Sequence, residues 1–198
     1  LSVGGETLVP VESPKYRFYN VYGPTETTIL TTTFPVERLY KTVPIGRGLQ
    51  NIRLYVTDSY GRRVPVGVPG ELWISGPQVS RGYLNRPEQT EKVFIKNPFS
   101  EEPKYSRVYR TGDIVRFLPG GCIEFIGRRD SQVKIRGFRI ELTEVEGVIR
   151  EFSGIKDATV AAFDEAGGGK FIAAYVVSDE KINIEALNAF ILERKPCC

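Results

Sequence analysis

The chain has 198 residues, 41% of them hydrophobic and 26% charged, and a formal net charge of +3, which suits one to one and a half soluble domains with a real core. That charge is too small, and the basic residues too scattered among acids, to argue for nucleic acid, and the apolar runs fall short of a membrane span. Without a single histidine, Ser-His-Asp and Cys-His catalysis and the common histidine-containing zinc sites are excluded within this chain. Carboxylate, lysine, arginine, hydroxyl or bound metal remain for any chemistry.

Leu1 to Glu6 carries neither a basic leader nor a cleavage pattern, and the sequence contains no Met. The expectation is a cytoplasmic chain that begins in mid-domain. The first two thirds read as β-rich, with short strands between turn signals. Strands are expected at Phe18 to Val21 and Thr27 to Phe34, around Gly23-Pro24, which forces a tight turn. Arg53 to Thr57 alternates and breaks at Asp58-Ser59-Tyr60-Gly61, and Gly70 to Gly76 is a strand bracketed by glycines. Pro87, preceded by Asn85-Arg86 and followed by Glu88, predicts a short helix over Pro87 to Phe94. Val108 to Arg110, Ile114 to Phe117, the turn Leu118 to Gly121, and Cys122 to Ile126 complete a meander. A small barrel or sandwich is the economical packing for these strands.

Beyond Asp130 the rhythm changes. Thr143 with Glu146 forms a capping-box pattern, and Val145, Val148, Ile149 and Phe152 recur at helical spacing. A strand at Ala158 to Phe163, a turn at Asp164 to Gly169 and a strand at Phe171 to Val177 follow. Gly167-Gly168-Gly169-Lys170 lacks the spacing and the Ser or Thr of a phosphate loop and reads as a hairpin turn. Asn183 caps a last segment in which Ile184, Leu187, Phe190 and Ile191 share a face. Cys122 reads as a small apolar residue in a strand, and Cys197-Cys198 has no metal-ligand spacing. The fold class is α+β and β-rich: a distorted β-barrel subdomain over residues 1–129, then a small α+β subdomain over 130–198.

The heptad Asn20-Val21-Tyr22-Gly23-Pro24-Thr25-Glu26 sets a hydroxyl and a carboxylate behind a Gly-Pro turn, a pair suited to phosphate oxygens and a hard cation. Magnesium needs only one or two carboxylates besides phosphate and water. An ordinary strand-to-strand turn has the same composition. Three more blocks follow in order: Gly70-Glu71-Leu72-Trp73-Ile74-Ser75-Gly76 leading into Val79 to Thr90; Tyr109-Arg110-Thr111-Gly112-Asp113; and Gly127 to Leu142, with Glu144 and Glu146 beyond. Together the four closely resemble the adenylation domains of non-ribosomal peptide synthetases, within the adenylate-forming (AMP-binding) superfamily that includes acyl-CoA ligases and luciferases. The resemblance covers essentially the whole chain, and Ile135-Arg136-Gly137-Phe138-Arg139-Ile140-Glu141-Leu142 favours the peptide-synthetase branch.

The resemblance implies a site for ATP or AMP and Mg2+. Tyr22 would stack on adenine, a job suited to a π-face with a polar tip, and Asn20 would offer its amide to the purine edge. Gly4, Gly5 and Glu6 would form the segment whose backbone passes close to the base. Gly23 belongs to the turn, Thr25 would contact the α-phosphate, and Glu26 would hold magnesium. Asp113 would take both vicinal ribose hydroxyls on its two oxygens, with Arg128 adding a guanidinium donor. Arg129 reads as solvated. Asp130 falls at the family's hinge, and Gly137 would lie against the phosphopantetheine arm of a carrier protein. Leu1, Val3, Val21, Ile29 and Leu30 would line part of the side-chain pocket, and because all five are apolar the implied amino-acid substrate is apolar too.

The family's phosphate loop and ammonium-binding aspartate have no counterpart between Leu1 and Cys198, and the chain stops at Leu192-Glu193-Arg194-Lys195-Pro196, before the segment with the catalytic lysine. This chain alone is therefore expected to lack adenylation activity. The function implied is part of an amino-acid-activating ligase, with a peptidyl carrier protein and an accessory protein of the MbtH type as partners. A fatty-acyl or aryl-acid ligase, and a non-catalytic nucleotide-binding or interaction module, are the alternatives.

Overall fold

The computed structural model describes residues 1–5, 8, 16–129, 132–135, 138–165 and 170–194, with no side-chain description for 134, 139 and 164. The chain divides into two compact units, Leu1–Arg129 and Asp130–Cys198. Glu6, Asp130, Gly137, Lys195 and Cys197-Cys198 lie outside the described residues, as does the Gly167-Gly168-Gly169 stretch.

The first unit begins with β1 (Ser2–Val3), β2 (Tyr19–Tyr22), β3 (Thr32–Pro35) and β4 (Arg47–Gly48), which form one sheet in that order. A second sheet follows from β5 (Arg53–Thr57), β6 (Gly70–Ser75), helix α1 (Pro87–Val93), β7 (Phe94–Lys96), β8 (Arg107–Phe117) and β9 (Ile123–Arg128). Its strand order is β5-β6-β8-β7, with β9 on the same edge of β8 as β7 but further along. Strand β6 is buried at all six positions. Its alternation explains this: Leu72 and Ile74 pack with Ile45, Val56, Val115 and Ile123, while Trp73 turns to the opposite face with Tyr55 and Val108.

The unit is strand-rich, as the sequence predicts, but among the described residues the strands close into no barrel. Strands β1 and β4 are two residues each, too short to carry a ladder from one sheet into the other. Instead, an isolated bridge between Gly46 and Ile123 joins them. Two expected strands, 108–110 and 114–117, are one eleven-residue strand interrupted by a bulge. The strand expected from Thr27 starts only at Thr32, because Thr25–Thr27 form a 3-10 turn.

The second unit holds an antiparallel hairpin of β10 (Gln132–Ile135) and β11 (Phe138–Glu141), then helix α2 (Leu142–Arg150), the antiparallel pair β12 (Asp157–Asp164) and β13 (Lys170–Val177), and helix α3 (Ile184–Arg194). Leu142, Val145 and Ile149 of α2 share a core with Ala158, Val160 and Leu187. Asn183 caps α3 as expected, accepting the Ala186 amide at 3.1 Å. The capping box does not form: α2 starts after Glu141 without a side-chain cap, and Glu146 instead accepts the Val160 amide at 2.9 Å. A glutamate that can satisfy a buried strand amide gains more than one closing a water-exposed turn. Among the described residues no helix is long and apolar enough to cross a membrane.

Candidate functional site

The first wall of the site is the loop from Tyr22 to Thr31. Gly23 lies so close to the other end of this loop that a Cβ there would stand 2.3 Å from the Ile29 carbonyl oxygen, and the Thr31 amide closes onto the Tyr22 carbonyl at 2.8 Å. Pro24 caps the 3-10 turn, leaving Thr25 exposed and turning Glu26 inward, where it is 7% exposed. The Tyr83 hydroxyl donates to Glu26 Oε1 at 2.7 Å. Two further bonds fasten this loop to the 78–83 segment: Ser80 N donates to the Glu26 carbonyl at 2.9 Å, and Thr28 Oγ1 to the Gln78 carbonyl at 2.9 Å.

The second wall is the bulge in β8. Glu71 pairs with Ile114 and Trp73 with Arg110, so Thr111, Gly112 and Asp113 stand opposite Leu72 alone. A bulge of this size strands backbone groups, and each must find another partner. Thr111 Oγ1 donates to the Leu72 carbonyl at 2.8 Å and accepts the Asp113 amide at 2.9 Å. The Gly112 amide donates to Glu71 Oε1 at 3.1 Å, and the Gly112 carbonyl accepts from Arg129 N at 2.8 Å. Gly112 has φ 72°, a left-handed conformation that glycine adopts without steric cost.

The bulge presents Asp113, 6% exposed, to Tyr22 and Arg128. Arg128 Nη1 lies 2.6 Å from Asp113 Oδ1, and the Tyr22 hydroxyl donates to Oδ2. Burial first, and then the Asp113 charge, push the Tyr22 phenol well above its ordinary value. Burial and the bond to Glu26 likewise push Tyr83 up. Tyr109, 1% exposed, adds to the upward push on both phenols.

Tyr22, Asp113 and Arg128 thus come together on the first unit, while Glu26, on the loop that follows Tyr22, is held by Tyr83. Other predicted residues fall differently. Asn20 is 3% exposed and donates through Nδ2 to the Pro44 carbonyl at 2.8 Å, so its amide braces β2, as a buried amide group has to be satisfied. At Gly4 a Cβ would meet the Val21 carbonyl oxygen at 2.3 Å, a close approach to β2 itself, whereas Gly5 faces open space. Leu1, Ile29 and Leu30 are exposed, Ile29 by 75%, and Val3 and Val21 are half-buried. Arg129, read as solvated, exposes about half its side chain yet holds Glu71 at 3.0 Å. Among the described residues no group of three or more carboxylate or thiolate side chains gathers that could hold a metal ion unaided.

A family model described as AMP-binding enzyme matches residues 8–84. Gramicidin S synthase 2 of Brevibacillus brevis is 40% identical over 99% of this chain, and tyrocidine synthase 3 of Brevibacillus parabrevis is 42% identical over 99% of it. The chain spans only 4% and 3% of the lengths of these two relatives. Among solved structures, holo-PA1221, an NRPS protein containing adenylation and PCP domains bound to vinylsulfonamide inhibitor, matches with a TM-score of 0.80 and 28% identity, over 94% of this chain and 34% of that one. Residues 8–84 thus match the AMP-binding enzyme family, and along nearly its whole length the chain is similar to one short segment of non-ribosomal peptide synthetases.

Proposed function

We propose that the chain is part of an amino-acid-activating adenylation domain. In that reaction the carboxylate of the amino acid displaces pyrophosphate from ATP to give aminoacyl-AMP, and a phosphopantetheine thiol on a carrier protein then takes the acyl group and releases AMP. The observation that carries this reading is the cluster at Asp113, where a buried carboxylate is held between an arginine and a tyrosine hydroxyl. An ionised carboxylate has two acceptor oxygens, the chemistry that suits the two vicinal hydroxyls of a ribose. The Tyr22 ring suits an adenine face. Thr25, exposed on the same loop, suits the α-phosphate.

Glu26 fits Mg2+ of the kind held by one carboxylate together with substrate phosphates and water. When bound, the cation would neutralise phosphate charge. Residues 1–129 would be the C-terminal portion of the large adenylation domain, and 130–198 the mobile subdomain, with Asp130 as hinge and Gly137 facing the pantetheine arm. The exposed apolar residues Leu1, Ile29 and Leu30, with Val3 and Val21, support a substrate with an apolar side chain. The MbtH-type partner rests on the family resemblance alone.

Titration calorimetry of this chain with AMP, and with ATP and magnesium, tests the reading. Binding that weakens at least about tenfold in Asp113→Asn is the expected result, since a hydrogen bond to a charged group contributes about 1.5–3 kcal/mol. Absence of heat with both nucleotides would overturn it.

A further inference from the structure

Glu71 is 5% exposed, and a carboxylate buried this deeply is costly unless it is paired and hydrogen-bonded. It is both. Oε1 accepts the Gly112 amide at 3.1 Å, while Oε2 lies 3.0 Å from Arg129 Nη1 and 3.5 Å from Arg110 Nη2. Its partners are the residue before Asp113 and the residue after Arg128. The adjacent arginines at the end of the β8-β9 ladder divide between two carboxylates, Arg128 going to Asp113 and Arg129 to Glu71.

We propose that Glu71 is a positioning residue for Asp113. It fixes the left-handed Gly112 through the amide bond and pins the Arg129 side chain, whose backbone amide holds the Gly112 carbonyl. The bulge that turns the Asp113 carboxylate toward Tyr22 is thus clamped at both peptide groups that flank Gly112. Thr111 fastens the other side of the bulge to Leu72. Glu71 itself touches neither Tyr22 nor Arg128 through any of these bonds, so it acts on a ligand only through Asp113. The inference rests on the reading of Asp113 as the ribose ligand.

Geometry gives the clamp a testable signature: the bond to the Gly112 amide needs reach and an acceptor, whereas the charge serves the side chains of Arg110 and the half-exposed Arg129, whose backbone amide holds Gly112 in any case. Glu71→Gln keeps the length of the side chain and an acceptor oxygen, whereas Glu71→Asp keeps the charge but is one methylene short. The readout is the ratio of affinities of this chain for AMP and for 2′,3′-dideoxy-AMP, measured by calorimetry beside a melting curve for each variant. The wild-type ratio is expected at about tenfold or more, one charged hydrogen bond. Glu71→Gln should keep it within about threefold, and Glu71→Asp should cut it by about fivefold or more, with dideoxy-AMP affinity unchanged. An unchanged ratio in Glu71→Asp, equal loss of ratio in both variants, or parallel loss of both ligands would overturn the positioning role. A wild-type ratio of one would instead overturn the ribose assignment of Asp113, and the clamp with it.

Discussion

Tyr22 donates its hydroxyl proton to Asp113, 91 positions further along the chain. One residue therefore has two parts to separate: a hydroxyl committed to a buried carboxylate, and a half-buried ring that is the proposed platform for adenine. Tyr22→Phe keeps the ring and should lower AMP affinity by no more than about 1 kcal/mol, the net worth of an ordinary hydrogen bond. Tyr22→Ala removes the platform and should cost about 1–3 kcal/mol, the range for base stacking on an aromatic side chain. Calorimetry on the two variants decides the point; equal losses would mean that the ring does not carry adenine.

The same bond makes folding sensitive to alkali. Burial and Asp113 raise the folded pKa of Tyr22 above the unfolded value of about 10, so the neutral phenol is favoured in the folded state. Its contribution is present in full below pH about 10 and is lost as pH climbs from there toward the raised value, by up to about 1.4 kcal/mol per pH unit. Tyr83 shifts the same way, through burial and its bond to Glu26. Urea denaturation between pH about 8 and 11.5 should show a steeper loss of stability in the wild type than in Tyr22→Phe. Parallel curves would show that Tyr22 does not keep its proton in the folded protein.

Tyr83 holds one oxygen of Glu26, which fixes the rotation of the carboxylate. Tyr83→Phe frees that rotation and should weaken ATP binding in the presence of magnesium by about 1–2 kcal/mol, the value of a hydrogen bond to a charged group, while AMP binding without the metal stays unchanged. Paired titrations with and without magnesium measure the difference. If AMP alone were weakened as much, Tyr83 would be bracing the loop as a whole.

The contrast between Asp113 and Glu71 shows what could be read from the sequence. Tyr22, Glu26, Asp113 and Arg128 sit in compact motifs, and the family resemblance of those motifs assigns each a role. Glu71 and Tyr83 sit in equally legible motifs, but their roles depend on what the strand register sets opposite them: Gly112 across the β6-β8 ladder and Glu26 on a loop 57 positions away. Local pattern carries no such information. The same limit explains the split reading of β8, where Gly112-Asp113 marks a bulge within a strand. It also explains the failed capping box, because the Val160 amide that claims Glu146 belongs to a different element. Asn183 was legible because its partner is three residues away.

Ile29 is held at φ 70° and follows Thr28 at φ 58°. A β-branched residue in the left-handed region is strained, at a cost of about 1–3 kcal/mol. Nothing gained by burial offsets this, since the side chain is 75% exposed. The backbone is held there by the loop: the Ile29 carbonyl lies against Gly23, and the Ile29 amide reaches the Pro24 carbonyl at 3.3 Å. Asparagine tolerates this conformation far better. Ile29→Asn should therefore raise the unfolding free energy by about 1 kcal/mol in urea denaturation, and AMP affinity should not change, because the proposed base, ribose and phosphate contacts lie on other residues. A stability gain without any effect on AMP would fit an isoleucine kept for the side-chain pocket at the expense of the fold. A loss of stability would show that the exposed side chain makes a contact worth more than the strain.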